Sequence, residues 1–115
     1  SGGTYISSGL EKAEQIIQER YSPSSWNIYT FHCSDGENWA EDNPKALDKM
    51  RNLVNISQLA GYIQIKRTQD KIWGEEMAKI FEPLISDKFK IVNLSDKKDV
   101  WPQFSKLFGG KYELI

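Results

Sequence analysis

The sequence has little of several residue types that particular functions require. It contains one cysteine and one histidine, which excludes an internal disulfide framework, a multi-cysteine zinc site and a histidine-based metal cluster within these residues. Lys and Arg number 15 against 16 Asp and Glu, so the basic excess of a nucleic-acid surface is missing. No apolar run approaches the roughly 20 residues of a membrane span. We therefore expect a cytoplasmic protein.

The 115 residues, of which 39% are hydrophobic, are enough for one domain with a modest core. Along them the apolar spacing alternates between the helical and the strand period. The predicted helices cover about residues 8–20, 43–54, 73–85 and 100–108, and the predicted strands cover residues 26–33, 60–66 and 89–94. Strands that are separated by helices are expected to be parallel and joined by right-handed crossovers. The pattern predicts an α/β fold.

Three local signals refine the predicted helices. Ser8 followed by Glu11 fits a capping box, which places the start of the first helix at Ser8. Pro44 suits the first turn of the second helix, where its missing N–H costs nothing. Pro83 lies near the end of the third helix and is expected to shorten it.

The predicted strand at residues 26–33 is apolar on both of its alternating faces. Such a strand favours a central place in a parallel sheet, covered on both sides. The strand at residues 89–94 is more polar, so we place it toward an edge of the sheet. The first strand then has only one neighbouring strand among these residues. We therefore expect the chain to be a fragment of a longer protein that supplies the missing strands. An open apolar edge at residues 26–33 also predicts self-association.

Two short motifs are expected at the carboxyl ends of the strands, where open α/β sheets bind ligands. Gly2-Gly3-Thr4 leads into the first helix, and Ser34-Asp35-Gly36-Glu37-Asn38 follows the first strand. Asp35, Glu37, Glu41 and Asp42 form an acidic stretch, and hard cations prefer oxygen ligands of this kind. The simpler alternative is a turn in which Asp35 bonds its own backbone and Gly36 supplies a positive φ.

The order of these motifs resembles the second half of a von Willebrand factor type A domain. The match consists of Gly2-Gly3-Thr4, an amphipathic helix, and an apolar strand that ends in Ser34-Asp35-Gly36. The resemblance implies a three-layer, Rossmann-like parallel sheet, here with about three strands and four helices. It also implies a metal-ion-dependent adhesion site in which Thr4 and Asp35 are ligands. The Asp-x-Ser-x-Ser loop that completes such a site is absent from these residues.

Longer motifs resemble the C-terminal part of the bacterial YhbH/YeaH family. They are Ser1-Gly2-Gly3-Thr4, Glu19-Arg20-Tyr21, Trp26-Asn27-Ile28-Tyr29, Phe31-His32-Cys33-Ser34-Asp35-Gly36-Glu37-Asn38-Trp39 and Lys98-Asp99-Val100-Trp101-Pro102. The resemblance spans nearly all of the chain. It implies a role in stress response and sporulation, with a biochemical activity that is not established for the family. Mg²⁺ or Mn²⁺ would then bind the full-length protein, whereas this chain alone is expected to have no useful affinity for either ion.

The favoured function is a non-enzymatic protein-interaction module with no catalytic residue. Thr4 and Asp35 would hold the cation. The residues expected to shape the site are Gly3, Ser34, Gly36 and Asn38, and those expected to contact a protein partner are Glu37 and Trp39.

Two rival functions stay open at this point. One is a metal-dependent phosphoester hydrolase that uses Asp35 and Glu37. The other is a scaffold that binds no ion. His32 and Cys33 could act as an acid–base residue and a nucleophile, but a hydrogen-bonded core histidine and a packed strand cysteine are the simpler interpretations.

Overall fold

The computed structural model describes residues 5–65 and 77–94, together with the single positions 98, 102 and 105. Helices and strands alternate as predicted. The elements are α1 (Ile6–Arg20), β1 (Tyr29–Ser34), α2 (Asn43–Ile56), β2 (Leu59–Ile65), α3 (Met77–Phe81) and β3 (Phe89–Leu94), with 3₁₀ turns at Ala40–Asp42 and Glu82–Leu84. The expectation of an α/β fold is therefore confirmed.

The three strands form a parallel sheet in the order β1-β2-β3. Ser34 lies opposite Gln64, and Gln64 lies opposite Asn93. The carboxyl ends of all three strands consequently meet at one edge, where the polar residues described below are found.

One hydrophobic core fills the space between the sheet and the helices. Its buried members come from all three helices and from β2 and β3: Leu10, Ala46, Met50, Leu53, Val54, Ala60, Tyr62, Met77, Phe81 and Phe89. The fourth predicted helix, at residues 100–108, lies outside the described residues except for positions 102 and 105. The described helices thus share a single core cluster.

The first strand has one neighbour in the described sheet, as expected, but the expectation that both of its faces are covered is wrong for the described residues. β2 holds the central place, and five consecutive residues of it, 60–64, are buried. β1 is half-buried, with Tyr29 and Cys33 exposed. The two strands approach closely at Gly61, where a Cβ would lie 2.9 Å from Cδ1 of Phe31. The placement of β3 at an edge of the described sheet is confirmed.

Two predicted boundaries need correction. Helix α1 begins at Ile6 rather than Ser8, with Tyr5 as its N-cap and no side-chain capping bond from that residue. Strand β1 begins at Tyr29 rather than residue 26, because the amide of Trp26 bonds the carbonyl of Ser22 in a preceding turn. The capping box fails because other side chains occupy the first amides of α1.

The two proline predictions are confirmed. Pro44 lies in the first turn of α2. The α-helical part of α3 ends at Phe81, and Pro83 lies in the 3₁₀ turn that follows. The start of the third helix as predicted, residues 73–76, lies outside the described residues.

Candidate functional site

A cleft of about 340 Å³ lies between the start of α1 and the end of β1. The residues that line it belong to these two segments and to the loop after β1: Tyr5, Ile6, Gly9, His32, Cys33, Ser34, Asp35 and Glu37. Asp35 and Glu37, two of the predicted site residues, therefore share one cleft. Gly3 and Thr4 lie outside the described residues, although Tyr5, their neighbour in sequence, is part of the lining.

The turn at residues 34–37 contributes Ser34, Asp35 and Glu37 to the lining of the cleft. The Gly36 amide donates to Oγ of Ser34 at 3.1 Å, and the Glu37 amide donates to Oδ1 of Asp35 at 2.9 Å. Gly36 has φ 91°, a conformation that residues with a side chain rarely adopt. The turn that was the simpler interpretation of Asp35-Gly36 is thus present. Asp35 and Glu37 are exposed, so their carboxylates face solvent from this turn.

Behind the turn, a row of polar side chains crosses the carboxyl ends of the strands. The hydroxyls of Ser34 and Tyr62 form a short hydrogen bond. Gln64, only 3% exposed, accepts the amide of Ala78 at 2.9 Å through Oε1. Its amide nitrogen lies 3.4 Å from Oδ1 of Asn93. The sequence analysis missed this row, whose only signal was a glutamine inside an otherwise apolar strand.

The loop after β1 is joined to the start of α1 by side chains. The Ile6 amide donates to Oδ1 of Asn38 at 3.0 Å. The Ser7 amide and hydroxyl both donate to the Asp42 carboxylate, at 3.0 and 2.5 Å. Asn38 also donates to Asp42 and to Asn43, each at 3.0 Å. We call Asn38, Asp42 and Ser7 the loop–helix clamp.

The clamp separates Asp42 from the other carboxylates of the predicted acidic stretch. The side chain is only 4% exposed. Desolvation raises the pKa of Asp42, but the hydrogen bonds from Ser7 and Asn38 and the charge of Lys45 outweigh it, so the net pKa lies below its ordinary value. Asp42 is therefore charged at neutral pH, and its carboxylate accepts hydrogen bonds inside the protein.

Exposed aromatic and acidic side chains are also found at the start of α1 and in the loop after β1. Trp39 is 51% exposed and Tyr5 is 38% exposed. The Tyr5 hydroxyl donates to Glu41 at 3.2 Å, and this hydrogen bond together with the negative charge of Glu41 raises the pKa of Tyr5. Exposed aromatic side chains are frequent in protein interfaces, so the position of Trp39 is compatible with its predicted partner contact.

His32 and Cys33 point to opposite faces of β1, as consecutive residues of a strand do. The His32 ring stacks on Tyr62 with centroids 5.9 Å apart. Its buried Nε2 has no hydrogen-bond partner among the described residues, which corrects the expectation of a hydrogen-bonded core histidine. Cys33 is exposed rather than packed, and partial burial raises the pKa of its thiol. The two side chains do not form a nucleophile–base pair.

His32 makes the stability of the fold dependent on pH. Burial lowers the pKa of His32 in the folded protein, so below about pH 6.5 the unfolded chain binds a proton that the folded chain resists. We expect the free energy of unfolding to fall as the pH drops below about 6.5, and to fall less in His32→Phe, which keeps a ring on Tyr62. Urea denaturation at a series of pH values measures both slopes.

Since His32 is the sole histidine of the chain, the difference between the two pH profiles is attributable to it. Identical slopes in the wild-type and His32→Phe proteins would show that its imidazole is as easily protonated in the folded protein as in water.

The donors in the cleft are partly suited to a hard cation. Asp35 and Glu37 offer carboxylate oxygens, the ligands that Mg²⁺ prefers. In the part of the chain that the structure describes, no three His, Cys, Asp or Glu side chains are grouped closely enough to hold a metal ion. Magnesium takes about six oxygen ligands in near-octahedral geometry, so the described side chains fit as part of a site rather than as a whole one.

The fold and the cleft define a class: an α/β domain whose parallel sheet carries a solvent-facing acidic turn at its carboxyl edge. None of the helices within the described ranges is long and apolar enough to cross a membrane. Residues 1–111 match the family described as "Protein of unknown function (DUF444)". The chain belongs to this family.

Curated relatives carry the name UPF0229 protein. The chain is 48% identical to the one from Ruminiclostridium cellulolyticum over 107 residues, which cover 93% of this chain and 27% of the relative. It is 43% identical to that of Clostridium perfringens over 102 residues, 88% of this chain and 25% of the relative. It is 36% identical to the one from Erwinia tasmaniensis over 112 residues, which cover 94% of this chain and 25% of the relative. The chain thus spans about a quarter of these relatives. No solved structure matches it.

Proposed function

We propose that this chain is the C-terminal half of a von Willebrand factor A-like domain and acts as a non-enzymatic protein-interaction module. In this proposal it belongs to a longer cytoplasmic protein of the YhbH/YeaH type, with a role in bacterial stress response or sporulation. Thr4 and Asp35 would hold Mg²⁺ or Mn²⁺ in that full-length protein. The observation that carries the proposal is the exposed carboxylate of Asp35 in a cleft beyond the carboxyl end of β1.

The hydrogen bonding of Asp35 suits a preorganised metal ligand. One carboxylate oxygen accepts the Glu37 amide, which holds the side chain in one orientation. The other oxygen has no hydrogen-bond partner among the described residues and remains available. A bound cation would supply positive charge for a carboxylate of the partner protein. The exposed rings of Trp39 and Tyr5 would add apolar contact with that partner.

Calorimetric titration of Mg²⁺ and Mn²⁺ tests the proposal. We expect saturable binding by the full-length protein, loss of binding in its Asp35→Ala variant, and no measurable binding by residues 1–115 alone. Asp48→Ala is the matched control, because Asp48 is an exposed carboxylate that pairs with Arg51 on α2. This control should bind the cation like the wild-type protein.

The opposite outcomes separate the rival functions. Absence of binding by the full-length protein would reject the metal site and leave a metal-free scaffold. Turnover of a generic phosphoester that disappears in Asp35→Asn would replace the adaptor function with a hydrolase. Self-association through residues 26–33 stays a separate prediction, which light scattering of the chain at high concentration would test.

A further inference from the structure

A series of side-chain contacts runs from His32 to the turn after β1. The His32 ring stacks on Tyr62, with centroids 5.9 Å apart and planes inclined by 16°. The Tyr62 hydroxyl forms a short hydrogen bond with that of Ser34, whose Oγ accepts the Gly36 amide at 3.1 Å. The Gly36 carbonyl accepts the amide of Met77 at the start of α3, also at 3.1 Å. The place of the His32 ring and the conformation of the turn are therefore linked.

The imidazole of His32 lacks the contacts that would stabilise its charged form. Its Nε2 is buried and has no hydrogen-bond partner among the described residues. A proton on this nitrogen would bring a positive charge and an unsatisfied N–H into a place without water, and both cost free energy. Burial accordingly lowers the pKa of His32. The arrangement that the structure shows therefore favours the neutral ring.

The titratable groups around His32 come from β2, from the residue before α1, from β1 and from the loop after it: Tyr62, Tyr5, Cys33, Asp35 and Glu37. Neither carboxylate is a hydrogen-bond partner of Nε2. The hydrogen bond to Glu41 raises the pKa of Tyr5, and partial burial raises that of Cys33, so neither group gains or loses charge between pH 5.5 and 7.5. Imidazole is the side chain that ordinarily changes charge between pH 5 and 8, and His32 is the sole histidine of the chain.

The part of the sheet that holds His32 is less buried than its centre. β1 is an edge strand of the described sheet and is half-buried, whereas residues 60–64 of β2 are all buried. Cys33 and Asp35, which follow His32, are exposed. Segments with few buried apolar contacts open at a lower free energy than the core of a protein. The end of β1 can therefore separate from Tyr62 while the rest of the fold persists.

We propose that the contacts of His32, Tyr62, Ser34 and Gly36 form a pH-sensitive latch: protonation of His32 releases residues 32–37 locally while the core stays folded. This opening differs from the loss of global stability described above, because it occurs in a protein that is otherwise native. It also requires no bound cation. The released segment carries Glu37, so acid would alter the surface that is proposed to contact a partner.

Hydrogen exchange of the full-length protein at pH 5.5 and 7.5, resolved to single amides, tests the latch. The reporters are the amides of Gly36 and Met77, and the reference is the amide of Ala60 on β2, which donates to the carbonyl of Lys88 at 2.7 Å. If the open form binds a proton with an ordinary pKa near 6.5 and the closed form resists it, acid lowers the protection factors of the reporters by about 3- to 10-fold over this range. These factors should stay below that of Ala60 at both pH values.

His32→Phe is the deciding variant, because it keeps a ring on Tyr62 and carries no titrating group. The two reporters should lose their pH dependence in it, and His32→Gln gives the same test if the phenylalanine variant does not fold. Ser34→Ala removes the hydroxyl that joins Tyr62 to Gly36. The Gly36 amide should then exchange faster at both pH values and depend less on pH. Ser25→Ala makes the same chemical change at an exposed position and should leave both reporters unchanged.

Three results would each reject the latch. Equal protection of Gly36 and Ala60 at both pH values would mean that His32 is protonated only when the whole protein unfolds. A pH dependence of Gly36 that persists in a folded His32→Phe or His32→Gln protein would assign it to another group. An undiminished pH dependence in Ser34→Ala would show that the hydroxyl contacts do not connect His32 to the turn.

Discussion

Replacing Gly36 with alanine is expected to lower the free energy of unfolding by about 2–4 kcal/mol. Gly36 has φ 91°, which alanine adopts only with strain. A Cβ at this position would also lie 2.7 Å from Cδ and 2.8 Å from Oε1 of Gln64. Gln64, itself buried, cannot move away without cost, because Oε1 accepts the amide of Ala78 at 2.9 Å. Urea denaturation of the wild-type and variant proteins measures the difference.

Gly9→Ala is the matched control for this prediction. Gly9 lies inside α1, and a Cβ there would meet no atom within 4 Å. The same chemical change should therefore stabilise the protein, by about 0.5–1 kcal/mol, because alanine favours helix. A loss below about 1 kcal/mol in Gly36→Ala would show that the turn and Gln64 adjust easily, contrary to the strain expected for a positive φ.

Phe81→Ala is expected to destabilise the protein by about 3–5 kcal/mol, the range for deleting a buried aromatic ring. Phe81 is fully buried at the end of α3. Its ring packs edge-on against Tyr62, with centroids 5.0 Å apart, and against Phe89 at 6.4 Å. The ring therefore connects the helix to the two strands β2 and β3. Thermal and urea denaturation would both show the loss.

Two further variants locate the origin of that effect. Phe81→Leu keeps an apolar side chain and should cost less than the alanine variant. Ile85→Ala, four residues further along, removes a side chain that is 54% exposed and should change stability by less than about 0.5 kcal/mol. Equal losses in Ile85→Ala and Phe81→Ala would contradict the assignment of Phe81 to the core.

Much of the element order could be predicted because it depends on short patterns. The strand at residues 89–94 was predicted with the bounds that the structure has, Phe89–Leu94. Pro44 marked the start of α2 correctly, since its geometry suits only the first turn of a helix. Asp35-Gly36 was correctly interpreted as containing a turn, because both residues favour that backbone locally.

The candidate site was predicted less completely. Asp35 and Glu37 were found because acidic residues directly follow a strand, and both line the cleft. Asp42 was predicted only as part of an acidic stretch, and its burial against Ser7 was not foreseen. Gln64 was missed altogether. Neither role has a local signal, because the partner of each side chain belongs to another element.

The sequence by itself determined the alternation of helices and strands and the turn after β1, since each depends on residues within a few positions of one another. Only the tertiary structure decided how deeply each strand is buried and that Asp42 caps α1. The burial of a strand depends on its neighbours and on the helices that cover it as well as on its own apolar content. A cap supplied from 35 residues away exists only once the sheet has brought the two segments together.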